Sequence, residues 1–390
     1  MASIPEIVEQ IGFGPAQYVQ LLLMNWTGFS AMCYLMLLMV LAKPIGEGFH
    51  ISVAQRTNLM AMAGVGTMIG NFSAGPIGDA FGRRRPILGT YFSCFVLGLV
   101  NSWSHSYYLS LVLLLGFGFA VGQGQPIKSA LGGEIVPSER RLHSRAADFI
   151  LIALGGGFAV VLVWLDDPNM HDLHWHWLLG MACVPYGIGF ICAYVFLHES
   201  PSYLSLRCEY EKVEHVLEYM CTMNGKLDID ITNYHPPPPL RRQMSLNVHA
   251  EEVEKNTDLI FGKHMWFTTL TLSVGVFTGY LNFFGANYCF LQEMPTVNLF
   301  GAPSLNLMVG QLVEIPGILC FVMLGLHIRR KTLSAIGLLG ASSGIFTFVA
   351  IAMILGQPRT GKIALALQAS FFAFKFFVTG TIMTLGTFAF

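Results

Sequence analysis

Two ionisable residues of opposite charge interrupt long apolar runs of this sequence. Glu314 stands near the middle of the run 305–326, and Lys375 stands near the middle of the run 363–388. An ionisable side chain at bilayer depth costs about 2.5–3.5 kcal/mol on insertion scales, so it normally has a partner or a function. Three interpretations are open: a structural ion pair, a substrate or coupling-ion site, and a lysine that extends to a membrane surface.

Uncharged polar and aromatic residues in the apolar runs could form the walls of a cavity for an organic solute, because such sites combine aromatic surface with a few hydrogen-bonding groups. The candidates are Trp26, Tyr34, Gln123, Tyr280, Asn282 and Gln311. The alternative role for each is helix packing, which single polar residues in apolar helices usually serve. Lys128 and Asp148 fall near helix ends, and we expect them to belong to a charged network around Arg140 and Arg141.

The sequence contains no pattern typical of an enzyme or of a metal centre. No phosphate-binding loop, nucleophile elbow or HExxH pattern is present. The loop 166–176 is rich in Asp and His, but their spacing does not match a closed zinc site. The eight cysteines are scattered through the chain and suggest no disulfide framework. We therefore predict no catalytic residue, no metal and no cofactor.

The composition predicts a polytopic membrane protein. Of 390 residues, 54% are hydrophobic and only 12% are charged, against about 25% charged in ordinary soluble domains. A net charge of −1 offers no basic surface for nucleic acid. A helix needs about 20 apolar residues to span a bilayer, and ten runs of this sequence reach or nearly reach that length. We therefore predict an all-α fold. The runs are 18–42, 53–75, 86–103, 107–124, 147–164, 177–197, 265–284, 305–326, 332–355 and 363–388.

The distribution of Lys and Arg predicts the orientation of the chain. With ten spans, 17 of the 22 basic residues fall in loops on the side of the N-terminus, and 4 fall in loops on the other side. Because basic loops stay in the cytoplasm, the N-terminus is predicted to be cytoplasmic. The membrane is either the plasma membrane or that of an intracellular vesicle, and we expect a monomer.

One long polar stretch divides the chain. We predict a cytoplasmic segment at 1–16, a six-helix bundle at 17–200, a cytoplasmic loop at 201–263 and a partial second bundle at 264–390. Helical spacing at 209–223 indicates an amphipathic helix, which we expect to lie along the membrane. Ser245 follows two arginines in a pattern that resembles a kinase site, where phosphate would add negative charge; the alternative is a chance match.

The loop after the second apolar run carries a short motif of glycines and charged residues. Its residues are Gly75, Asp79, Gly82, Arg83 and Arg84. The glycines permit close helix approach and a tight turn, and a carboxylate at the membrane edge can accept hydrogen bonds from arginine. This pattern resembles the loop motif of the major facilitator superfamily, which stands at the same place between spans two and three.

Further short sequence motifs, or boxes, resemble those of synaptic-vesicle-glycoprotein-related transporters and of organic ion and sugar porters. They lie at 11–14, after span four, after span six and at 314–317. The residues that match in the boxes after spans four and six are Glu134, Pro137, Arg140, Arg141, Glu199, Ser200 and Pro201.

The resemblance implies two six-helix bundles around a central cavity, which move small organic solutes by alternating access. It implies an organic ion as solute, with a sugar as the alternative, and leaves open whether a coupling ion takes part. Asp79, Arg83 and Arg84 would form a gate with the box after span four. Glu314 and Lys375 would both stand on helices that line the cavity.

The chain also departs from the family pattern. It has Val112 where an arginine is common and no acidic residue in span one, and both departures weigh against proton coupling. Only four spans follow the central loop, and we expect the reading frame to continue beyond Phe390. The rival interpretation is a membrane protein that does not transport, such as an inactive paralogue, a receptor-like protein or a trafficking partner.

Overall fold

The computed structural model describes residues 3–226, 228–229, 231, 266–293, 302–354 and 362–386, and within them the regular elements are all helices. Ser245 and most of the central loop lie outside these ranges. The helices are α1 (Ile4–Ile11), α2 (Pro15–Val40), α3 (Ala42–Gly48), α4 (Val53–Phe81), α5 (Arg84–Ser102), α6 (Tyr107–Ile135), α7 (Arg141–Asp166), α8 (Trp175–Phe196), α9 (Pro201–Leu206), α10 (Tyr210–Asn224), α11 (Trp266–Glu293), α12 (Pro303–Leu312), α13 (Glu314–Gly325), α14 (Arg330–Ile354) and α15 (Lys362–Gly386).

The predicted all-α membrane architecture is confirmed. Each predicted apolar run corresponds to a long helix or, in one case, to two helices in line. In the described ranges, eight stretches are long and apolar enough to cross a membrane. The helices α4 and α5 are outside that set, but they pack against α6 and α8 in the same bundle.

The run predicted over 305–326 is broken in its middle. Helix α12 ends at Leu312 and α13 begins at Glu314, with Val313 between them. Pro316 has no backbone N–H and cannot donate to the carbonyl of Leu312, so the helical hydrogen-bond ladder loses a bond at this level. The break places Glu314 in the first turn of α13, where the helix dipole favours a negative charge.

Helices α4 and α6 touch along a row of glycines. A Cβ on Gly66, Gly70, Gly118 or Gly122 would lie 2.0–2.2 Å from a backbone carbonyl oxygen of the other helix. Glycine therefore sets the separation of these two helices. The prediction that Gly75 allows close approach is wrong, because a Cβ there would meet nothing within 4 Å. Gly75 is one residue beyond the four-residue repeat that faces α6, so it points away from the contact.

The N-terminal helix covers the helix that follows the first bundle. The apolar faces of α1 and α10 are buried against each other in one cluster that also takes in α9. The expectation that α10 lies along a membrane is wrong, since its apolar stripe is occupied by α1. The carboxylate of Glu9 accepts a hydrogen bond from the backbone nitrogen of Ser138 at 2.8 Å, and this bond lowers the pKa of Glu9.

The two halves meet along α7, which packs against α12 and α13. At the end of the molecule remote from α1, the hydroxyl of Ser304 donates to the carbonyl oxygen of Pro168 at 2.7 Å. Nearer α1, an apolar cluster that includes Ala146, Ala153 and Phe321 joins α7 to α13. We call the end that carries α1 and Arg83 the α1 face.

Candidate functional site

A cavity of about 460 Å³ lies between the first half and the end of α13. Its mouth is at the α1 face, where Ser138, Glu139 and Arg141 are exposed. The lining residues come from α2, α6, α7 and α13, from the one-turn helix between α6 and α7, and from the residue that follows α13. They are Met24, Asn25, Lys128, Ser129, Gly132, Gly133, Ser138, Glu139, Arg141, Leu142, Ser144, Arg145, Asp148, Gly325 and Leu326.

A buried ion pair stands at the inner end of this cavity. The Nζ of Lys128 donates to Oδ1 of Asp148 at 2.6 Å, and the Lys128 side chain is only 2% exposed. A Cβ on Gly28 would lie 3.0 Å from this Nζ, so the ammonium group lies directly against α2. Arg145 lines the same cavity, and its Nη1 donates to the hydroxyl of Ser129 at 2.7 Å.

Three of the proposed solute-contacting residues lie inside the first half and away from the cavity lining. The indole Nε1 of Trp26 donates to the carbonyl of Pro185 at 3.0 Å. The hydroxyl of Tyr34 is buried and accepts a hydrogen bond from Asn101 at 2.9 Å. Gln123 is half-buried on α6, at the contact with α4. All three occupy helix interfaces, which was the alternative role for such residues.

Tyr280 and Asn282 stand on α11. Tyr280 is 45% exposed and stacks on Phe284 with ring centroids 6.3 Å apart. Tyr280 is not among the residues that line the cavity. Asn282 is half-buried on the same helix.

Glu314 and Lys375 form an ion pair between α13 and α15, with both side chains almost fully buried. In the amide orientation that satisfies both partners, Gln311 donates to Oε1 of Glu314 at 3.2 Å and accepts from Nζ of Lys375 at 3.1 Å. The rings of Phe283 and Phe371 lie 5.3 Å and 5.7 Å from the same Nζ. The structure thus brings three predicted residues together, outside the lining of the cavity.

The loop motif at the α1 face is organised by Arg83. Its guanidinium group lies 3.2 Å from Oδ1 of Asp79 and 3.0 Å from Oε1 of Glu134. It also donates to the carbonyl of Gly78 at 2.7 Å. The arginine that pairs with Glu134 is therefore Arg83, in the motif between α4 and α5. The guanidinium of Arg141 instead donates to the carbonyl of Gly133 at 3.1 Å.

Glu199 holds the start of α5. Its carboxylate accepts the backbone N–H groups of Arg83 at 2.8 Å and of Arg84 at 3.1 Å. The adjoining Ser200 caps α9 by accepting from the backbone nitrogen of Tyr203 at 3.2 Å. Gly82 has a φ of +88°, a backbone conformation that other residues rarely adopt. Pro201 is the first residue of α9, and Arg140 ends the one-turn helix that follows Pro137.

Sequence reasoning missed Tyr203 and Arg207 as members of this network. Arg207 donates to the carbonyl of Ala80 at 2.6 Å, and Tyr203 donates to the same oxygen at 3.2 Å. The guanidinium groups of Arg83 and Arg207 lie 5.3 Å and 5.5 Å from the centroid of the Tyr203 ring. Both residues lie in and just after α9, next to the predicted residues Glu199, Ser200 and Pro201, but their contacts with the α4–α5 turn carry no local sequence signal.

The polar loop after α7 uses its carboxylates to hold its own backbone. Asp167 accepts from the backbone nitrogens of Asn169, His171 and Asp172 at 2.6–3.0 Å. These hydrogen bonds hold the pKa of Asp167 below its ordinary value. Among the described residues no group of His, Cys, Asp and Glu side chains is arranged to hold a metal ion.

Two bundles of apolar helices that meet along α7, with an arginine and carboxylate network at one face of the first bundle, define a membrane protein of the major facilitator type. The chain belongs to the sugar (and other) transporter family, whose model matches residues 23–386.

The curated relatives match the chain over part of their length. It is 26% identical to the organic cation/carnitine transporter 7 of Arabidopsis thaliana over 57% of this chain and 43% of that protein. It is 27% identical to the D-xylose transporter of Levilactobacillus brevis over 40% of this chain and 34% of that protein. A further relative is SVOPL of Danio rerio, 25% identical over 51% of this chain and 38% of that protein. The matched segments thus span less than half of these relatives.

Solved structures share the fold over nearly the whole chain. The partially occluded, inward-open xylose transporter XylE of E. coli matches with a TM-score of 0.69 and 16% identity, over 96% of this chain and 86% of that chain. The proton:xylose symporter XylE bound to 6-bromo-6-deoxy-D-glucose matches with a TM-score of 0.66 and 17% identity, over 95% and 81%.

Proposed function

We propose that this protein carries a small organic ion across a membrane by alternating access, with its N-terminus in the cytoplasm. The observation that carries the proposal is the cavity between the halves. It is reached from the α1 face through Glu139 and Arg141, and it ends at the buried pair of Lys128 and Asp148. An ionisable pair at membrane depth is costly, and it marks a solute or ion pathway when it faces a cavity.

The contacts at the end of the molecule remote from α1 are those expected of one of the two states in an alternating-access cycle. There the contact of Ser304 with Pro168 holds the two halves together, while the cavity is open at the α1 face. With the α1 face in the cytoplasm, this is an inward-open state, and the xylose transporter structure that shares the fold is also inward open. Transport then requires the opposite rocking, which opens the remote end and closes the cavity mouth.

We assign the network around Arg83 the role of a gate at the α1 face. It ties the α4–α5 turn to α6 through Glu134 and to the start of α9 through Glu199. These contacts fix the helix ends beside the cavity mouth. Because the network stands beside the cavity mouth, we expect rocking of the halves to change its surroundings.

Charge in the cavity favours an organic ion over a neutral sugar. Its lining includes three cationic and two anionic side chains, and charged groups bind ions with complementary charge. One relative is named for organic cations and carnitine, and another for D-xylose. A sugar is therefore the second candidate solute.

Uptake into proteoliposomes that contain the purified chain tests the function. Labelled L-carnitine and D-xylose are the first probes, with empty liposomes as the blank and Lys212→Gln, on the exposed surface of α10, as the matched control variant. We expect saturable uptake of the ion. An absence of saturable uptake with both probes would favour a membrane protein that does not transport.

Chemical labelling tests the orientation independently. Cys208 lies at the α1 face and is the exposed free cysteine in the described part of the chain. In intact cells a membrane-impermeant maleimide should modify Cys208 only after permeabilisation, with Cys208→Ser as the control. Modification without permeabilisation would place the α1 face outside the cell.

A further inference from the structure

The exposed side of α5 runs from an arginine at the α1 face into an apolar stripe. Its members follow helical spacing, and they are Arg85, Gly89, Phe92, Val96 and Val100. Phe92 is 55% exposed and Val100 is 45% exposed, so in a membrane this stripe contacts lipid tails. Arg85 lies in the first turn of α5 and therefore stands at the level of the lipid headgroups.

Arg84 joins the start of α5 to the end of α8 beside this stripe. Its Nη2 donates to the carbonyl oxygen of Tyr194 at 2.6 Å. Tyr194 is 62% exposed, and tyrosine at the end of a spanning helix is typical of the membrane interface. Within the described ranges, neither Arg84 nor Arg85 forms an ion pair.

The other groups near the start of α5 are already engaged or neutral. The carboxylate of Glu199 accepts the backbone N–H groups of Arg83 and Arg84. The two carboxylates that flank the loop motif bind the guanidinium of Arg83. Burial lowers the pKa of the nearby His198 below 6.5, so its ring adds no charge at about pH 7. The side chains of Arg84 and Arg85 are therefore the cations left for a ligand at this corner.

A notch in the surface of α5 lies next to Arg85. Gly89 stands one turn further along the exposed stripe, and a Cβ placed on it would meet nothing within 4 Å. The ring of Phe92 follows and lies 5.7 Å, between centroids, from that of Phe190 in α8. Phe190 in turn lies 6.2 Å from the ring of Tyr194. We call the notch, these three rings and the two arginines the α5–α8 surface.

We propose that the α5–α8 surface binds a phospholipid with a negatively charged headgroup. The lipid phosphate accepts hydrogen bonds from the guanidinium groups of Arg84 and Arg85, and one tail lies over Gly89 and against Phe92. Net charge selects the lipid. Phosphatidylglycerol keeps the full negative charge of its phosphate, whereas the choline group of phosphatidylcholine neutralises it and is repelled by the arginines. The inference does not rest on transport of a solute.

Native mass spectrometry of the purified full chain tests the site. The protein is released from micelles that contain equal amounts of phosphatidylglycerol and phosphatidylcholine, and the lipids retained on it are counted. We expect phosphatidylglycerol to be retained in preference. Arg85→Gln should reduce that preference by about fivefold, the contribution of one basic residue near a membrane surface. Arg85→Lys keeps the charge and should keep most of the preference. A wild type without preference would overturn the proposal.

A matched arginine separates a defined site from general attraction to basic residues. Arg329 is exposed and precedes the spanning helix α14, in the second half of the molecule. Arg329→Gln removes the same charge as Arg85→Gln, but it leaves the α5–α8 surface intact and should retain lipid as the wild type does. Equal losses in the two variants would show general attraction and would contradict the proposal.

A soluble competitor distinguishes a lipid from a free phosphate. Glycerol 1-phosphate carries the charge of the lipid without its tails. We expect it to leave the retained phosphatidylglycerol in place at equal concentration, because the apolar surface below Arg85 contributes to binding only when a tail is present. Displacement at equal concentration would assign the two arginines to a soluble phosphate compound and would overturn the lipid assignment.

Discussion

The carboxylate of Glu199 accepts the backbone N–H of Arg83 at 2.8 Å, across 116 residues of sequence. The same carboxylate accepts the N–H of Arg84 at 3.1 Å. A side chain from beyond the sixth span therefore caps the helix that forms the third span. Because the side chain of Arg83 meanwhile binds Glu134, its backbone and guanidinium group join three separate segments of the chain at the α1 face.

Replacement of Glu199 by Ala should lower the free energy of unfolding by about 1–3 kcal/mol, since the N–H groups at the start of α5 lose a charged acceptor. Chemical unfolding in detergent measures the effect. Glu209→Ala is the control, because the Glu209 side chain forms an exposed ion pair with Lys212, and the loss of such a pair should cost less than about 1 kcal/mol. Equal effects of the two changes would contradict the capping role.

The two glycines of the loop motif should respond oppositely to alanine. At Gly82 the φ of +88° and a Cβ placed 2.3 Å from Oε2 of Glu199 should make alanine destabilising by about 1–3 kcal/mol. At Gly75, inside α4 and facing open space, alanine should be neutral or stabilising by up to about 1 kcal/mol. Unfolding midpoints of the two variants test this, and a large loss at Gly75 would argue for a contact that forms in another state.

Removal of the Asp79 carboxylate should affect the transport cycle more than the fold. The side chain is 78% exposed, and an exposed ion pair contributes about 0–1 kcal/mol. We expect Asp79→Ala to reduce turnover several-fold with little change in solute affinity, because a gate acts on the conformational step. Uptake kinetics and ligand-induced stabilisation measure the two quantities separately. A parallel loss of affinity and turnover would count against a gate.

The pair of Glu314 and Lys375 should tolerate joint replacement better than single replacement. Glu314→Gln leaves the ammonium group of Lys375 buried without its counter-ion, and we expect a loss of about 3–5 kcal/mol. The double variant Glu314→Gln with Lys375→Met removes both charges and should recover most of that loss. Unfolding of the four proteins gives the coupling energy. If the double variant also keeps uptake and its pH dependence, the pair serves structure alone.

Acidification should loosen α10 through His198. Burial, followed by the nearby His215 and Arg84, lowers the pKa of His198 below 6.5. The neutral ring accepts a hydrogen bond from Gln20 at 3.1 Å and stacks on Tyr219 with centroids 4.2 Å apart. A lowered pKa means that this stability is present above about pH 6.5 and is lost as the pH falls through the folded-state value.

Hydrogen exchange of α10 at about pH 7.5 and about pH 5.5 measures this effect, after correction for the intrinsic exchange rate. We expect weaker protection at the lower pH in the wild type. His198→Gln cannot titrate and should show the same protection at both values. Equal pH dependence in the variant would assign the effect to another group.

Most of the helices could be predicted because apolar runs in a membrane protein mark spans directly. The break at Val313 was not predicted because average hydropathy stays high along the run 305–326; Pro316, three residues later, was the signal that the sequence offered. The position of α10 was mispredicted for a different reason. An amphipathic stripe shows that a face is buried but does not identify its partner, and here the partner is α1, which is about 200 residues away in the sequence but adjacent in the structure.

The candidate site was predictable in part. The motif residues at the α1 face could be named because loops with glycine, carboxylate and arginine have local signatures. The residues inside the cavity could not, because hydropathy does not show which side of a helix faces its neighbours. Trp26 and Tyr34 were chosen for their chemistry but point into helix interfaces, whereas Lys128 and Asp148 were assigned to a helix-end network and line the cavity.

The glycine contact between α4 and α6 makes these two helices one rigid unit. With carbonyl oxygens of each helix directly against the glycines of the other, neither helix can slide without a collision of backbones. Asp79 lies in α4 and Lys128 lies in α6. The distance between the loop motif and the inner end of the cavity is therefore fixed within this rigid unit. Spin labels placed at the two ends of this part should report one constant separation, whatever state the rest of the molecule adopts.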